Sequence, residues 1–111
     1  MSKDPLLYIE DIVESILAIQ GYVQGVELEA FLANAEKQDA VLRRLAIIGE
    51  AVKKLPNEFR AAHPKVPWRD IAASRDVLIH DYDRVNLHLL WDIIHNDLPP
   101  LLSQLRPLLN E

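Results

Sequence analysis

Apolar residues recur at intervals of three and four along most of the chain, which is the spacing of amphipathic helices. The first such run follows Asp4 and Pro5, a pair suited to the N-cap and first turn of a helix. We predict that this helix ends between Gly21 and Gly25. Its polar side includes Ser15. Its predicted core face contains Leu6, Ile9, Ile12, Val13, Ile16 and Leu17.

The clearest helical pattern covers residues 35–55 and follows a short predicted helix over 27–33. Its core positions alternate at intervals of four and three residues and form a heptad-like seam: Val41, Leu45, Ile48, Val52 and Leu55. Gly49 lies inside this helix, where glycine costs about 1 kcal/mol relative to alanine. We therefore expect another helix to cross closely at Gly49. The charged residues of this helix are interpreted as a solvated face: Arg43, Arg44, Glu50, Lys53 and Lys54.

Prolines divide the second half of the chain. Pro56 interrupts the long helix, and Asn57 is suited to cap a short turn that reaches His63. Pro64 and Pro67 then favour an extended connection, because the residue before a proline avoids helical conformation. Helical structure is expected to resume immediately after this connection.

Two further helices are predicted after the prolines. One runs from Trp68 to about Tyr82, with its core positions at Trp68, Ile71, Ala72, Leu78 and Ile79. The last long helix starts at Val85 and must kink or restart at Pro99 and Pro100. Its predicted apolar stripe contains Leu87, Leu90, Trp91, Ile94 and Leu98. No segment shows sustained two-residue alternation, so the pattern predicts an all-α antiparallel bundle of four or five helices in a single domain, residues 1–111.

Composition narrows the classes of function. The 111 residues include no cysteine, which excludes disulfides and cysteine-based metal or nucleophile chemistry. The formal net charge of −5 argues against a general nucleic-acid coat, although a local basic pocket remains compatible with it. No apolar run approaches the roughly 20 residues of a membrane span. The first residues also lack the apolar core of a signal peptide. A cytoplasmic location is the expectation.

Polar and ionisable side chains that could take part in catalysis are clustered in residues 74–82, within the helix predicted to end near Tyr82. At about 100° per residue, Asp76 and His80 would stack on one face, and Arg75 and Tyr82 would nearly share another. Arg75 and His80 would instead point about 140° apart. Either the helix ends near His80, or two copies of the chain face each other across a dimer. We favour the dimer, with a composite cleft between the copies.

The residue types of this stretch suit cleavage of a phosphodiester without a metal ion. A histidine can accept a proton from a ribose 2′-hydroxyl or donate one to the leaving oxygen. An arginine can bind a phosphate through two hydrogen bonds and stabilise its developing charge. The spacing of Arg75 and His80 alone is weak evidence, because a surface arginine and a histidine at a helix C-terminus give the same pattern.

The other histidines are weaker candidates. His88 and His95 share a helix face with Trp91 between them, but seven residues is too far for two ligands of one metal ion. His63 precedes a proline and is interpreted as a loop residue. The sequence has no glycine-rich phosphate loop, zinc-protease motif or nucleophile elbow. No metal ion or cofactor is predicted.

Six segments stand in a specific order and spacing along the chain: Arg43-Arg44-Leu45, Ile48-Gly49-Glu50-Ala51, Val66-Pro67-Trp68, residues 75–82, Leu90-Trp91 and Asp97-Leu98-Pro99. In this order and spacing, nearly the whole chain resembles the HepT-like proteins of the HEPN superfamily. The family motif is an arginine, a polar residue, three further residues, a histidine, one residue and a tyrosine. Arg75, Asp76, His80 and Tyr82 fill it. Ser74 stands where relatives often have methionine, and we expect no effect on the chemistry.

The resemblance implies a helical homodimer and a metal-independent endoribonuclease, often the toxin of a toxin–antitoxin pair. His80 would be the acid/base group, Arg75 would bind phosphate, and Asp76 would support them. The implied partners are RNA and a nucleotidyltransferase antitoxin of the MntA type, with which the toxin can form a larger hetero-oligomer. That antitoxin would transfer AMP from ATP to Tyr82. The alternative is a non-catalytic dimer that binds a nucleotide or the nucleotidyltransferase.

Overall fold

Helices account for most of the computed structural model, which describes residues 4–81 and 84–110. The helices of this part of the chain are α1 (Pro5–Val23), α2 (Leu28–Leu32), α3 (Ala35–Lys54), α4 (Asn57–Ala62), α5 (Trp68–Leu78), α6 (Leu87–Asp92) and α7 (Leu98–Leu109). A π-helical segment, Ile93–Asp97, joins α6 to α7. Two short strands, β1 (Ile79–Asp81) and β2 (Arg84–Val85), separate α5 from α6. The all-α prediction is confirmed, and none of the described helices has an apolar stretch long enough to cross a bilayer.

The first helix begins and ends as the sequence predicts. The Asp4 carboxylate accepts a hydrogen bond of 2.9 Å from the Leu6 N–H, and Pro5 occupies the first turn. After α1 ends at Val23, Gly25 adopts a positive φ of 72°, a conformation that glycine enters without a Cβ clash.

The predicted core face of α1 is too narrow. Ser15 was assigned to the polar side, but it is fully buried, and its hydroxyl has no hydrogen-bond partner among the described residues. Ile19 is also fully buried, whereas Leu17, assigned to the core, is 41% exposed. Because α1 packs against both α3 and α7, its buried surface covers more of the helix circumference than one stripe.

Helix α3 lies between α1 and α5 and contributes the continuous seam of the core. The Asn34 side chain caps its start by accepting a hydrogen bond of 3.0 Å from the Lys37 N–H. The predicted seam is confirmed at every position, since its members are at most 2% exposed: Val41, Leu45, Ile48, Val52 and Leu55. Burying five large side chains on one helix makes α3 the element against which α5 is positioned.

The close crossing expected at Gly49 is also confirmed. A Cβ built on Gly49 would lie 3.3 Å from the carbonyl oxygen of Ala72 in α5, which is tighter than ordinary van der Waals contact. The absence of a side chain at Gly49 therefore lets α5 approach α3 closely. This contact sets the position of the last turns of α5.

Replacing Gly49 with valine is expected to lower the free energy of unfolding by about 1 to 3 kcal/mol, because the added methyl groups press against backbone rather than a mobile side chain. Urea unfolding measures the change. Gly21→Ala in α1 is the matched control: nothing lies within 4 Å of a Cβ there, so a gain of about 0.5 to 1 kcal/mol is expected. Equal stability of Gly49→Val and the wild type would contradict the close-crossing account.

The helix predicted from Trp68 to about Tyr82 is shorter than expected. It ends at Leu78, and Val85, predicted as the start of the last helix, lies in β2. The chain before α6 closes this end, since the Asn86 N–H donates to the Leu78 carbonyl at 2.8 Å. The Asn86 side chain caps α6 by accepting from the Leu89 N–H at 3.0 Å. Ile79 and Val85 are β-branched, which suits the two strands that lie between Leu78 and Asn86.

The two prolines after the last predicted helix act as expected, through a restart. Pro99 and Pro100 lack the N–H groups that would continue an α-helical ladder. The chain passes through the π-helical segment, where the Leu98 N–H donates to the Ile93 carbonyl, and then begins α7. Ile94 and Leu98 of the predicted stripe are buried, as is Ile93, which the prediction omitted.

Candidate functional site

Arg75 and Asp76 occupy the last turns of α5, and both side chains are exposed. They line a narrow groove of about 80 Å³ together with Glu50 and Lys53 of α3. Gly49 also lines this groove, so the close helix crossing brings the α3 backbone to its floor. Ser74 faces elsewhere and donates from its hydroxyl to the Ile71 carbonyl at 2.9 Å. The groove thus presents the Arg75 guanidinium next to a second cation and two carboxylates.

His80 lies in strand β1, at the irregular point of a two-stranded antiparallel ribbon. Ile79 pairs with Val85 and Asp81 pairs with Arg84, so the register shifts between these pairs. His80 is the additional residue on its strand, which is the arrangement of a β-bulge. Such bulges are common beside active sites, where they change the direction of a side chain. The motif histidine therefore belongs to a strand that directly continues α5.

The observed end of α5 removes the helical-angle argument made from the sequence. Arg75 is helical and His80 is in a strand, so the angle of about 140° between them does not apply. The stacking predicted for Asp76 and His80 on one helix face fails for the same reason. Of the two alternatives, the structure shows the helix that ends near His80. The prediction of a dimer loses this geometric support and rests on the resemblance.

Tyr82, the last motif residue, lies outside the described residues. The prediction that it shares a helix face with Arg75 required α5 to continue beyond Leu78, and this premise is wrong. Its predicted modification does not depend on that shared face, because it needs only a phenol that a second protein can reach. Tyr82 follows His80 by two residues in the sequence.

Two of the remaining histidines, His63 and His95, contact aromatic rings, and His88 is exposed. His63 follows α4, as predicted, and its ring is tilted by 48° against that of Phe59 with centroids 4.8 Å apart. The His95 ring lies 4.1 Å from that of Trp91, and its Nδ1 is 2.9 Å from the Trp91 carbonyl oxygen. Within the described part of the chain, no three His, Asp or Glu side chains form a cluster that could bind a metal ion.

Lys53 is the residue of this region whose position the sequence did not indicate. It was assigned to the solvated face of α3, yet it lines the groove that contains Arg75. Helical periodicity identifies which face of α3 enters the core, but it does not show which neighbouring helix lies beside an exposed lysine. The crossing at Gly49 was the only available signal, since Lys53 is one helical turn beyond it.

Comparison with known proteins assigns the family. The family model described as "Ribonuclease HepT-like" matches residues 12–108. The chain belongs to the HepT-like ribonuclease family. A protein of Thermococcus cleftensis named "Probable ribonuclease HepT" is 45% identical over 94 residues, which cover 85% of this chain and 86% of that protein. A "Putative RNase" of Caldanaerobacter subterraneus subsp. tengcongensis is 41% identical and covers 98% of this chain and 97% of its own length.

One relative is longer than this HepT-like chain. The Methanocaldococcus jannaschii protein named "Gamma-glutamylcyclotransferase and putative RNase" is 40% identical over 111 residues, which are 100% of this chain but 50% of that protein. No solved structure matches the chain. The resemblance seen in the sequence is therefore confirmed at the level of the family, and ribonuclease activity is a property of that family.

Proposed function

We propose that this HepT-like chain is a metal-independent endoribonuclease in which His80 is the acid/base group and Arg75 binds the scissile phosphate. The observation that carries the proposal is the intact motif in a chain of this family: Arg75, Asp76, His80 and Tyr82 stand at the family spacing. The end of α5 between Arg75 and His80 supports it, because the two residues are not held on opposite faces of one regular helix.

The proposed reaction is a transesterification followed by release of a new RNA end. His80 removes the proton of a ribose 2′-hydroxyl, and the resulting oxygen forms a bond to the adjacent phosphorus. The bond from phosphorus to the 5′-oxygen breaks. That oxygen receives a proton from the same histidine or from the His80 of the second protomer of the proposed homodimer. The Arg75 guanidinium stabilises the charge that develops on the phosphate oxygens. Asp76, which follows Arg75 in α5, helps to orient the groups of the site.

The same reasoning gives a proposal for the cellular role. The chain acts as the toxin of a toxin–antitoxin pair, as a homodimer whose two motifs share a cleft. A nucleotidyltransferase antitoxin neutralises it by transferring AMP to Tyr82. The sequence motif and the family membership support this role. The acidic net charge of −5 also suits a chain that limits indiscriminate binding to RNA outside its site.

Purified wild-type protein is expected to cleave a labelled single-stranded RNA in excess EDTA, and Arg75→Ala is expected to reduce the rate by about 100-fold, since one lost charge-stabilising group typically costs that much. Denaturing gel electrophoresis of the products measures both. Arg106→Ala, which removes an exposed cation of α7, is the matched control and should cleave at the wild-type rate.

Cleavage that requires added divalent metal would contradict the metal-independent proposal. Tight binding of RNA or of the nucleotidyltransferase without any loss of RNA, even at high protein concentration, would instead support the non-catalytic binding module. Size-exclusion chromatography with light scattering tests the homodimer separately from the chemistry.

A further inference from the structure

A second recess adjoins the groove that contains Arg75. It is an open basin of about 580 Å³ formed where α4 and the start of α5 approach the end of α3. We call it the basic basin and define it by its polar wall residues: Lys53, Asn57, Arg60, Arg69 and Asp76. Ala61, Ala72 and Ala73 line its floor with short side chains. The basin and the groove share Lys53, Ala72 and Asp76, so they form one continuous surface.

The charge of this surface is opposite to that of the chain. Its walls carry four cations, at Lys53, Arg60, Arg69 and Arg75, and two carboxylates, at Glu50 and Asp76. The whole chain carries 12 Lys and Arg against 17 Asp and Glu. The local excess of positive charge lies directly beside the residue proposed to bind the scissile phosphate.

The position of Arg69 is not explained by the stability of its helix. It lies in the first turn of α5, where the helix dipole disfavours a cation. Lys53 by contrast lies in the last turn of α3, where the dipole favours it. The adjacent Asp70 does not line the basin; it lines a separate cavity with Ile71. Arg69 is therefore a cation placed at some electrostatic cost on the wall of the basin.

The guanidinium and the backbone of Arg60 each make one contact. The guanidinium donates to the Asn57 side chain, and the carbonyl oxygen accepts a hydrogen bond of 3.2 Å from the Trp68 indole N–H. The Nε of Arg60 is buried and has no hydrogen-bond partner among the described residues. The Asn57 contact orients the guanidinium, whose planar group binds a phosphate through two hydrogen bonds. The Trp68 ring is buried and 7% exposed, so it does not offer a face on which a base could stack. The basin thus offers cations for phosphates but no exposed Trp68 face for a base.

We infer that the basic basin binds the phosphates of the RNA strand next to the cleavage site, through Lys53, Arg60 and Arg69. Arg69, Ala72, Ala73 and Asp76 follow the helical spacing of a single face of α5. Arg69 and Arg75 are six residues apart, which is about 9 Å along the helix axis. Arg75 lies about 120° around the helix from Arg69, so the flanking strand would follow this face to Ala72 and Asp76, which both recesses share, and turn there towards Arg75. The inference rests on the proposed ribonuclease function and adds a sequence-independent binding surface to it.

The test uses a fluorescein-labelled 2′-O-methyl oligoribonucleotide, which lacks the nucleophile and therefore reports binding without cleavage. Fluorescence anisotropy gives its Kd across a range of salt concentrations. The double variant Lys53→Ala with Arg69→Ala is expected to raise the Kd at least tenfold at low salt. The slope of log K against log salt should fall by about 0.7 for each lost phosphate contact. Oligonucleotides of different sequence should lose affinity equally.

Two controls each remove one positive charge elsewhere, and combined in one protein they match the two charges of the double variant. Lys54→Ala changes the next residue of α3, which is exposed and does not line the basin, and Arg106→Ala changes a cation of α7. Both should bind as the wild type does. A protein with Arg69→Lys in place of Arg69→Ala keeps the positive charge and should recover most of the lost affinity. With cleavable RNA, the KM of the double variant should be higher than that of the wild type and its kcat should be unchanged. A folding defect would instead lower kcat.

An unchanged Kd in the double variant, or an equal loss in both controls, would overturn the inference. Loss of nucleotidyltransferase binding with normal oligonucleotide binding would also overturn it and assign the basin to a protein partner. A wild-type protein that binds the oligonucleotide through the basin but cleaves no RNA would contradict the proposed function and leave the basin intact. Normal cleavage with an unaltered KM in the double variant would contradict the inference about the basin and leave the proposed ribonuclease function intact.

Discussion

His80→Ala is expected to reduce RNA cleavage by about 100- to 10,000-fold while leaving the fold intact. General acid–base catalysis by one side chain contributes a factor of this size. His80 lies in the short ribbon after α5 and not in the seam of α3, and the unfolding measurement tests whether the variant keeps the fold. Single-turnover cleavage in EDTA measures the rate, and circular dichroism with urea unfolding measures the fold.

The histidine assignment is specific because other histidines provide controls. His88→Ala removes an exposed imidazole from α6, and it should cleave at the wild-type rate. Binding of the 2′-O-methyl oligonucleotide should remain within about twofold of the wild-type affinity in His80→Ala, since the histidine acts on protons and not on the phosphate charge. Equal cleavage by the wild type and His80→Ala would refute the role of His80.

The helices that pack by a repeating seam could be predicted from the sequence. In α3 the positions from Val41 to Leu55 form one buried stripe, although this helix packs against both α1 and α5, and periodicity describes that stripe well. In α1 the same reasoning misassigned Ser15 and Leu17, because the residues buried against α3 and α7 spread around more of the helix circumference. Periodicity gives the mean direction of an apolar face and does not show how wide the buried surface becomes.

The candidate site was predicted in composition but not in geometry. The residues from Arg75 to His80 have spacings that a helix would accept, and nothing within the stretch itself ends a helix. The free carbonyl at this end, that of Leu78, accepts from the Asn86 N–H, a group outside the stretch. The sequence also did not show that Lys53 lines the groove beside Arg75, since this groove exists only where α5 crosses α3. Both features depend on contacts between elements, which periodicity does not encode.

The two recesses beside Arg75 reconcile the acidic chain with an anionic substrate. A uniformly basic surface would bind any nucleic acid, with an affinity dominated by released counterions. Here the groove and the basic basin carry four cations against two carboxylates, while the rest of the chain carries eight cations against 15 carboxylates. Such a distribution favours strands that reach the motif. It also means that negative charge added near the motif would act on a small number of cations.

Tyr82→Phe is expected to abolish adenylation by the partner nucleotidyltransferase while retaining RNA cleavage. In the proposed reaction the phenol oxygen forms a bond to the α-phosphorus of ATP and pyrophosphate leaves, so a residue without the hydroxyl cannot react. Intact mass spectrometry after incubation with the partner, ATP and Mg²⁺ measures the added adenylate. Tyr8→Phe and Tyr22→Phe are the matched controls, since these are the other two tyrosines of the chain, and both should still be modified.

Adenylation of the wild type is expected to lower RNA cleavage by at least 100-fold. The modification adds bulk and negative charge two residues from His80, where it repels the phosphates of RNA and competes for the cations beside Arg75. Because that repulsion is electrostatic, raising the salt concentration should weaken it but leave the steric part of the inhibition. Adenylate that persists on Tyr82→Phe would refute the site. Full cleavage by the adenylated wild type would refute the proposal that the modification neutralises the enzyme.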